Sequence, residues 1–124
     1  MFFMRKLIYI AEDDMVSFYF LEEVLTPLKV KIKQAKNGEE LLQLIHEKVP
    51  DLVLLDLRMP VMSGLDALAV IRKNHPGLPV VAQTAYAMTE ERERCFQCGC
   101  NDYISKPIRK TALLKIVEPY LGLS

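Results

Sequence analysis

Short apolar runs alternate along the chain with amphipathic stretches of helical spacing. Lys6 to Ala11 is an apolar run of strand length, and it ends in three acids, Glu12, Asp13 and Asp14. Phe20, Leu21, Val24 and Leu25 then recur at helical spacing, and Pro27 marks the end of that stretch. Val30, Ile32 and Ala35 alternate with Lys31, Lys33 and Gln34, the pattern of a half-buried edge strand. Asn37 predicts a helix cap, with Glu40 completing a capping box and Leu41, Leu42 and Ile45 on the apolar face. Leu52 to Leu55 is continuously apolar, as in a strand covered on both faces, and it ends at Asp56.

The alternation continues to the end of the chain. Ser63 can cap a helix with Leu65, Leu68 and Ile71 on one side, broken by Asn74-His75-Pro76-Gly77. Pro79 to Gln83 makes a fourth strand ending at Thr84. Thr89 is placed to cap a charged helix from Glu90 to Cys98, which Gly99 stops in the left-handed conformation. Asp102 to Ser105 makes a fifth strand ending at Lys106-Pro107. A last helix runs from about Arg109 to Leu121, with Leu114, Val117 and Leu121 inward and Pro119 near its end.

Five strand–helix units require parallel strands with right-handed crossovers, and they are too few to close an eight-fold barrel. The expected fold is therefore a single α/β domain, (βα)5, a doubly wound open parallel sheet with helices on both faces. A length of 124 residues suits one domain. Its core spans about residues 6–121, with 1–5 read as a linker stub or an added end. Apolar residues make up 51% of the chain, enough for a real core. Sixteen basic and sixteen acidic residues cancel, so there is no basic footprint and no direct nucleic-acid contact is expected. No apolar run approaches the roughly 18 residues of a membrane span, so no membrane contact by this domain is expected. Cys95, Cys98 and Cys100 are an odd, clustered set, a poor disulfide framework that points to a reducing cytosol. A structural zinc site wants four ligands, and His46 and His75 fall on other elements, so these cysteines read as free thiols at a helix end.

In an open parallel sheet the ligand site lies beyond the carboxyl ends of the strands. Those ends carry Glu12-Asp13-Asp14, Asp56, Thr84 and Lys106. Carboxylates brought within a few ångströms repel, so one protonates or a cation enters. Oxygen ligands without His or Cys favour Mg²⁺ over zinc or copper. A phosphoryl group at Asp56 would meet that metal, the Lys106 ammonium and the Thr84 hydroxyl, a full set of charge stabilisers for phosphoryl transfer. An Asp nucleophile would then carry an acyl phosphate.

The acidic pair after the first strand, DLVLLDLRMPVMSG around Asp56, QTA around Thr84 and DYISKP around Lys106 resemble the receiver domain of two-component response regulators. The resemblance covers about Lys6 to Leu121. It implies a flavodoxin-like fold with strand order 2-1-3-4-5. It implies Asp56 as phosphoacceptor, with Asp13, Asp56 and the backbone carbonyl of Arg58 as Mg²⁺ ligands and Glu12 holding a water on the metal. Lys106 would contact one phosphoryl oxygen, Thr84 would move to bond another, and Tyr103 would turn inward behind it. Lys106-Pro107 would be a cis peptide. Position 12 is Glu rather than the family's Asp, which keeps the charge and adds a methylene. Ala85 is small enough to leave a phosphodonor room, and Arg58 and Tyr86 would flank the site.

The implied partner is a histidine kinase or a histidine phosphotransfer domain. The implied readout is the surface of the fourth helix, fifth strand and fifth helix, which could also form a homodimer. Such a domain catalyses only its own phosphorylation and slow dephosphorylation. The segments AEDD, AQTAYAMTEERE and CNDYISKPIRK resemble receivers of hybrid sensor histidine kinases. The domain would then be cytoplasmic, alone or as the cytoplasmic part of a membrane-anchored kinase. Three rivals stand beside this reading. A flavin-binding electron carrier would need a phosphate loop where three acids lie. A Mg²⁺-dependent phosphohydrolase with an Asp nucleophile usually has a second acid where Arg58 stands. The third is an interaction module of the same fold that never takes phosphate.

Overall fold

The computed structural model describes residues 5–85 and 89–122. Five parallel strands, β1 (Leu7–Ala11), β2 (Lys31–Ala35), β3 (Leu52–Asp56), β4 (Val80–Thr84) and β5 (Asp102–Ser105), form one sheet in the order β2-β1-β3-β4-β5. Five helices connect and follow them: α1 (Met15–Leu25), α2 (Gly38–Glu47), α3 (Gly64–Asn74), α4 (Thr89–Gln97) and α5 (Lys110–Val117). This is the flavodoxin-like α/β fold. β1, β3 and β4 are buried along their whole length, because they are central and covered on both faces. β2 lies at the edge and exposes Lys31 and Lys33.

Two apolar layers hold the helices to the sheet. On one face Leu41 and Ile45 of α2, Leu68 and Ile71 of α3 and Cys95 of α4 pack on Tyr9, Val53, Leu55, Val80 and Ala82. On the other, Phe18, Leu21, Val24 and Leu25 of α1 and Leu113 and Val117 of α5 pack on Ile8, Ile10, Leu54, Val81 and Ile104. Truncating one of these side chains, such as Leu55, costs about 2–5 kcal/mol by the usual cavity argument. Tyr9 is buried on β1, yet its hydroxyl donates to Lys48 O at 2.7 Å and so satisfies a carbonyl at the end of α2.

Several local expectations are corrected. The inward residue of α1 is Phe18, and Phe20 is 39% exposed. In α5 it is Leu113 that is buried, and Leu114 only half so. Asn37 caps α2 by accepting the Glu40 N–H at 2.8 Å, but the Glu40 carboxylate accepts from Lys36 N–H rather than from the cap residue. Asp14, the third acid after β1, caps α1 through the Ser17 N–H at 2.9 Å. Pro27 and Pro119 each fall within a 3-10 turn, 26–28 and 118–121 respectively, because proline has no N–H for the α-helical ladder. The roles expected of the Thr89 and Tyr86 side chains lie outside the described residues.

Candidate active site at the carboxyl edge of the sheet

β1 and β3 are neighbours, so the acids that end them meet. Ligand oxygens of Glu12, Asp13 and Asp56 all lie within 4.8 Å of one another. Glu12 and Asp56 are buried and Asp13 is exposed. β5 delivers Lys106 from the far side of β4. Its Nζ donates to Glu12 Oε1 at 2.8 Å and to Asp56 Oδ2 at 3.0 Å. The Lys106–Pro107 peptide bond is cis. The other Asp56 oxygen, Oδ1, accepts the Arg58 N–H at 2.9 Å.

Gly64 lets the backbone close over this turn. Its N–H donates to Leu57 O at 3.1 Å, and a Cβ there would lie 2.2 Å from Asp56 O. No other residue type fits without displacing Asp56.

One ammonium faces three carboxylates, two of them buried. Burial, only partly offset by Lys106 and reinforced by Asp56, pushes the Glu12 carboxyl up to about 7. Burial opposes the Lys106 ammonium, but its bonds to Glu12 and Asp56 outweigh that and raise its pKa. An oxygen-only cluster carrying uncompensated charge suits a hard divalent cation, and Asp13 leaves one side open to water. A cleft of about 710 Å³ opens beside the cluster, lined by Asp13, Leu57, Arg58, Met59, Ser63 and Glu91 among others.

Thr84, at the end of β4, is fully buried, and its hydroxyl donates to Glu91 of α4. Glu91 also pairs with the exposed Arg58 at 3.5 Å. Tyr103 is half-buried on β5, beside Phe96 of α4 with ring centroids 6.5 Å apart. Burial and Glu91 raise its pKa, and a hydrogen bond with Thr84 opposes them. Glu91 is the residue that sequence reasoning missed. Within Glu90-Glu91-Arg92-Glu93-Arg94 nothing marks it out from a solvated helix face. Gln83 was missed too. It is buried, and its amide has no hydrogen-bond partner among the described residues. It lines a cleft of about 340 Å³ with Val16, Phe20, Lys106 and Pro107, room enough for ordered water.

An open parallel sheet with clustered acids and one lysine beyond its strand ends defines an α/β domain with an oxygen-ligand site at its carboxyl edge. The family model for the response regulator receiver domain matches residues 8–118, and the chain belongs to that family. It is 34% identical over 121 residues to the polar-differentiation response regulator DivK of Brucella anthropi, covering 96% of this chain and 98% of that one. Among solved structures it resembles a response regulator of Chloroflexus aurantiacus (TM-score 0.90, 28% identity, 96% and 99% of the two chains). It also resembles the receiver domain of a sensor histidine kinase from Pseudomonas aeruginosa, solved with a magnesium ion coordinated in the active-site cleft (TM-score 0.87, 30% identity, 96% and 99%). The chain is thus a receiver domain of two-component signalling. Receiver domains bind Mg²⁺ and work with histidine kinases or phosphotransfer proteins. No helix among the described residues is long and apolar enough to cross a membrane.

Proposed function

We propose that Asp56 accepts a phosphoryl group from a phosphohistidine of a partner kinase or phosphotransfer domain. A carboxylate oxygen of Asp56 attacks phosphorus, the P–N bond breaks, and the electron pair returns to the imidazole of the donor. Asp13, Asp56 and the Arg58 carbonyl would hold Mg²⁺, with Glu12 on one of its waters, and the ion would supply positive charge to the phosphoryl oxygens. Lys106 is held between Glu12 and Asp56, where its ammonium can follow charge from the carboxylate to the phosphoryl group. The observation that carries this reading is the meeting of Lys106 and Asp56 at 3.0 Å inside the acidic cluster.

The switch is assigned to Thr84 and Tyr103. The Thr84 hydroxyl is engaged with Glu91, so bonding a phosphoryl oxygen means giving up that contact, and Tyr103 follows into the space. The readout is then the α4–β5–α5 surface, which would also form any homodimer. The partner docks on α1, where Met15, Val16, Tyr19 and Phe20 are large, apolar and exposed, Val16 and Phe20 beside Lys106 and Pro107. As a hybrid-kinase receiver or a free-standing regulator, the domain works in the cytoplasm.

The deciding experiment is incubation with acetyl phosphate and Mg²⁺, read by intact mass. One phosphoryl adduct is expected, labile to hydroxylamine, abolished by EDTA and absent from Asp56→Asn. An adduct of equal yield in Asp56→Asn would overturn the assignment. Catalytic turnover of small phosphate esters would favour the phosphohydrolase instead.

A further inference from the structure

The far end of α4 holds a chemical group that phosphoryl transfer does not use. Gly99 has φ +107°, so the chain reverses there. Cys100 N–H donates to Cys95 O at 3.1 Å and Gly99 N–H donates to Phe96 O at 3.0 Å. These two crossed bonds are the Schellman closure of a helix. That closure brings the third residue from the helix end against the second residue beyond it. Here both are cysteines. They are free thiols with Sγ atoms 2.7 Å apart, and Cys95 donates its S–H to Cys100. Two cysteines so close across a fixed turn are already positioned to be joined.

The turn is held from outside as well. The Arg72 guanidinium of α3 donates to Gly99 O at 2.7 and 3.0 Å and to Asn101 Oδ1 at 3.2 Å. The Cys95 bond and the nearby Arg72 charge lower the Cys100 pKa, whereas the bond to Cys100 and burial raise that of Cys95. Cys100 is 7% exposed and Cys95 is closed to solvent. The two sulfurs therefore differ in enclosure: Cys100 is the less enclosed thiol and Cys95 the partner behind it. Cys98 does not join them as a third ligand. Among the described residues the cluster able to hold a metal is Glu12, Asp13 and Asp56.

We propose that Cys95 and Cys100 are a modification site for a small peroxide, oxidised to an intramolecular disulfide. The Cys100 thiolate attacks one oxygen of hydrogen peroxide and the O–O bond breaks. Cys100 becomes a sulfenic acid, and the departing hydroxide takes the proton that the Cys100 thiol gave up. The Cys95 sulfur then attacks the Cys100 sulfur, the S–O bond breaks, and hydroxide leaves as water with the Cys95 proton. One peroxide is reduced to two waters and two thiols are oxidised to one disulfide. The new bond ties the last turn of α4 to the residues leading into β5. Both sulfurs lie in the apolar layer that contains Tyr103, so the tie acts directly behind the proposed signalling surface.

The test uses the full chain, reduced and then titrated with hydrogen peroxide, followed by intact mass and thiol counting after denaturation. The chain should lose two hydrogens, gain no disulfide to a second chain and keep one alkylatable thiol, Cys98. Cys98→Ser, at a half-buried position on the edge of the core layer, should lose two hydrogens and keep none. Dithiothreitol should reverse both changes, and amide exchange across residues 95–100 should slow several-fold in the oxidised form. The proposal fails if Cys98→Ser keeps both thiols while a reference dithiol oxidises. It also fails if that variant gains oxygen instead of losing hydrogen, or if the linkage in the full chain requires Cys98.

Discussion

Glu12 is a carboxylate held where its charge is unwelcome, and that makes two measurements predictable. Its folded pKa of about 7 lies above the 4.5 of a free glutamate. Between those values the folded state binds the extra proton, so stability falls as pH rises. The contribution is fully present below 4.5 and lost as pH passes about 7. Denaturation midpoints measured across this window should decline in the wild type, and Glu12→Gln should remove that part of the slope. Mg²⁺ takes the deprotonated cluster, so its affinity should rise with pH over the same window, with proton release seen by calorimetry in buffers of different ionisation heat.

Glu91 permits a second prediction at this scale. In the proposed switch Thr84 gives up its bond to Glu91, and a hydrogen bond to a charged group is worth about 1.5 kcal/mol. Glu91→Ala should therefore raise the equilibrium fraction of phosphorylated chain about tenfold at limiting acetyl phosphate. An unchanged fraction would show that Thr84 moves without cost.

Helix ends were legible because local chemistry sets them. Asn37, Ser63 and Gly99 each do at a terminus what their side chain or its absence dictates. Asn37→Ala should cost about 1 kcal/mol in chemical denaturation, since the Glu40 N–H loses its acceptor. Which face of a helix turns inward was less legible. α1 carries Phe18, Tyr19, Phe20 and Leu21 in succession, and several stripes fit the same helical period. The core takes Phe18 and leaves Val16, Tyr19 and Phe20 outside. That leftover face yields its own prediction: Val16→Asp should slow phosphotransfer from a cognate phosphohistidine partner at least tenfold, with acetyl phosphate labelling unchanged. Equal losses with both donors would place the defect in the site instead.

At the scale of the molecule, the meeting of Glu12, Asp56 and Lys106 was readable because β1, β3 and β5 each end at or run directly into a charged residue and parallel strands end on one edge. Strand order was not readable from spacing, since a crossover helix of given length can return its strand on either side; it came from family resemblance. The Thr84–Glu91 contact was not readable either, because it depends on how α4 leans over β4. Filling the acidic cluster relieves its repulsion, so Mg²⁺ at a hundredfold excess over its Kd should stabilise the fold by about 2.7 kcal/mol, reversed by EDTA and much reduced in Asp13→Asn.

The two ends of α4 are anchored by different means. Near Gly99 the backbone closes on itself and Arg72 reaches across from α3. At Glu91 the attachments are side-chain tips, on Thr84 and Arg58. A rod clasped at one end and tethered by threads at the other swings about the clasp, so displacement should grow steadily from Cys95 back towards Glu90. Whatever reads this domain would then sense an angle more than a shift.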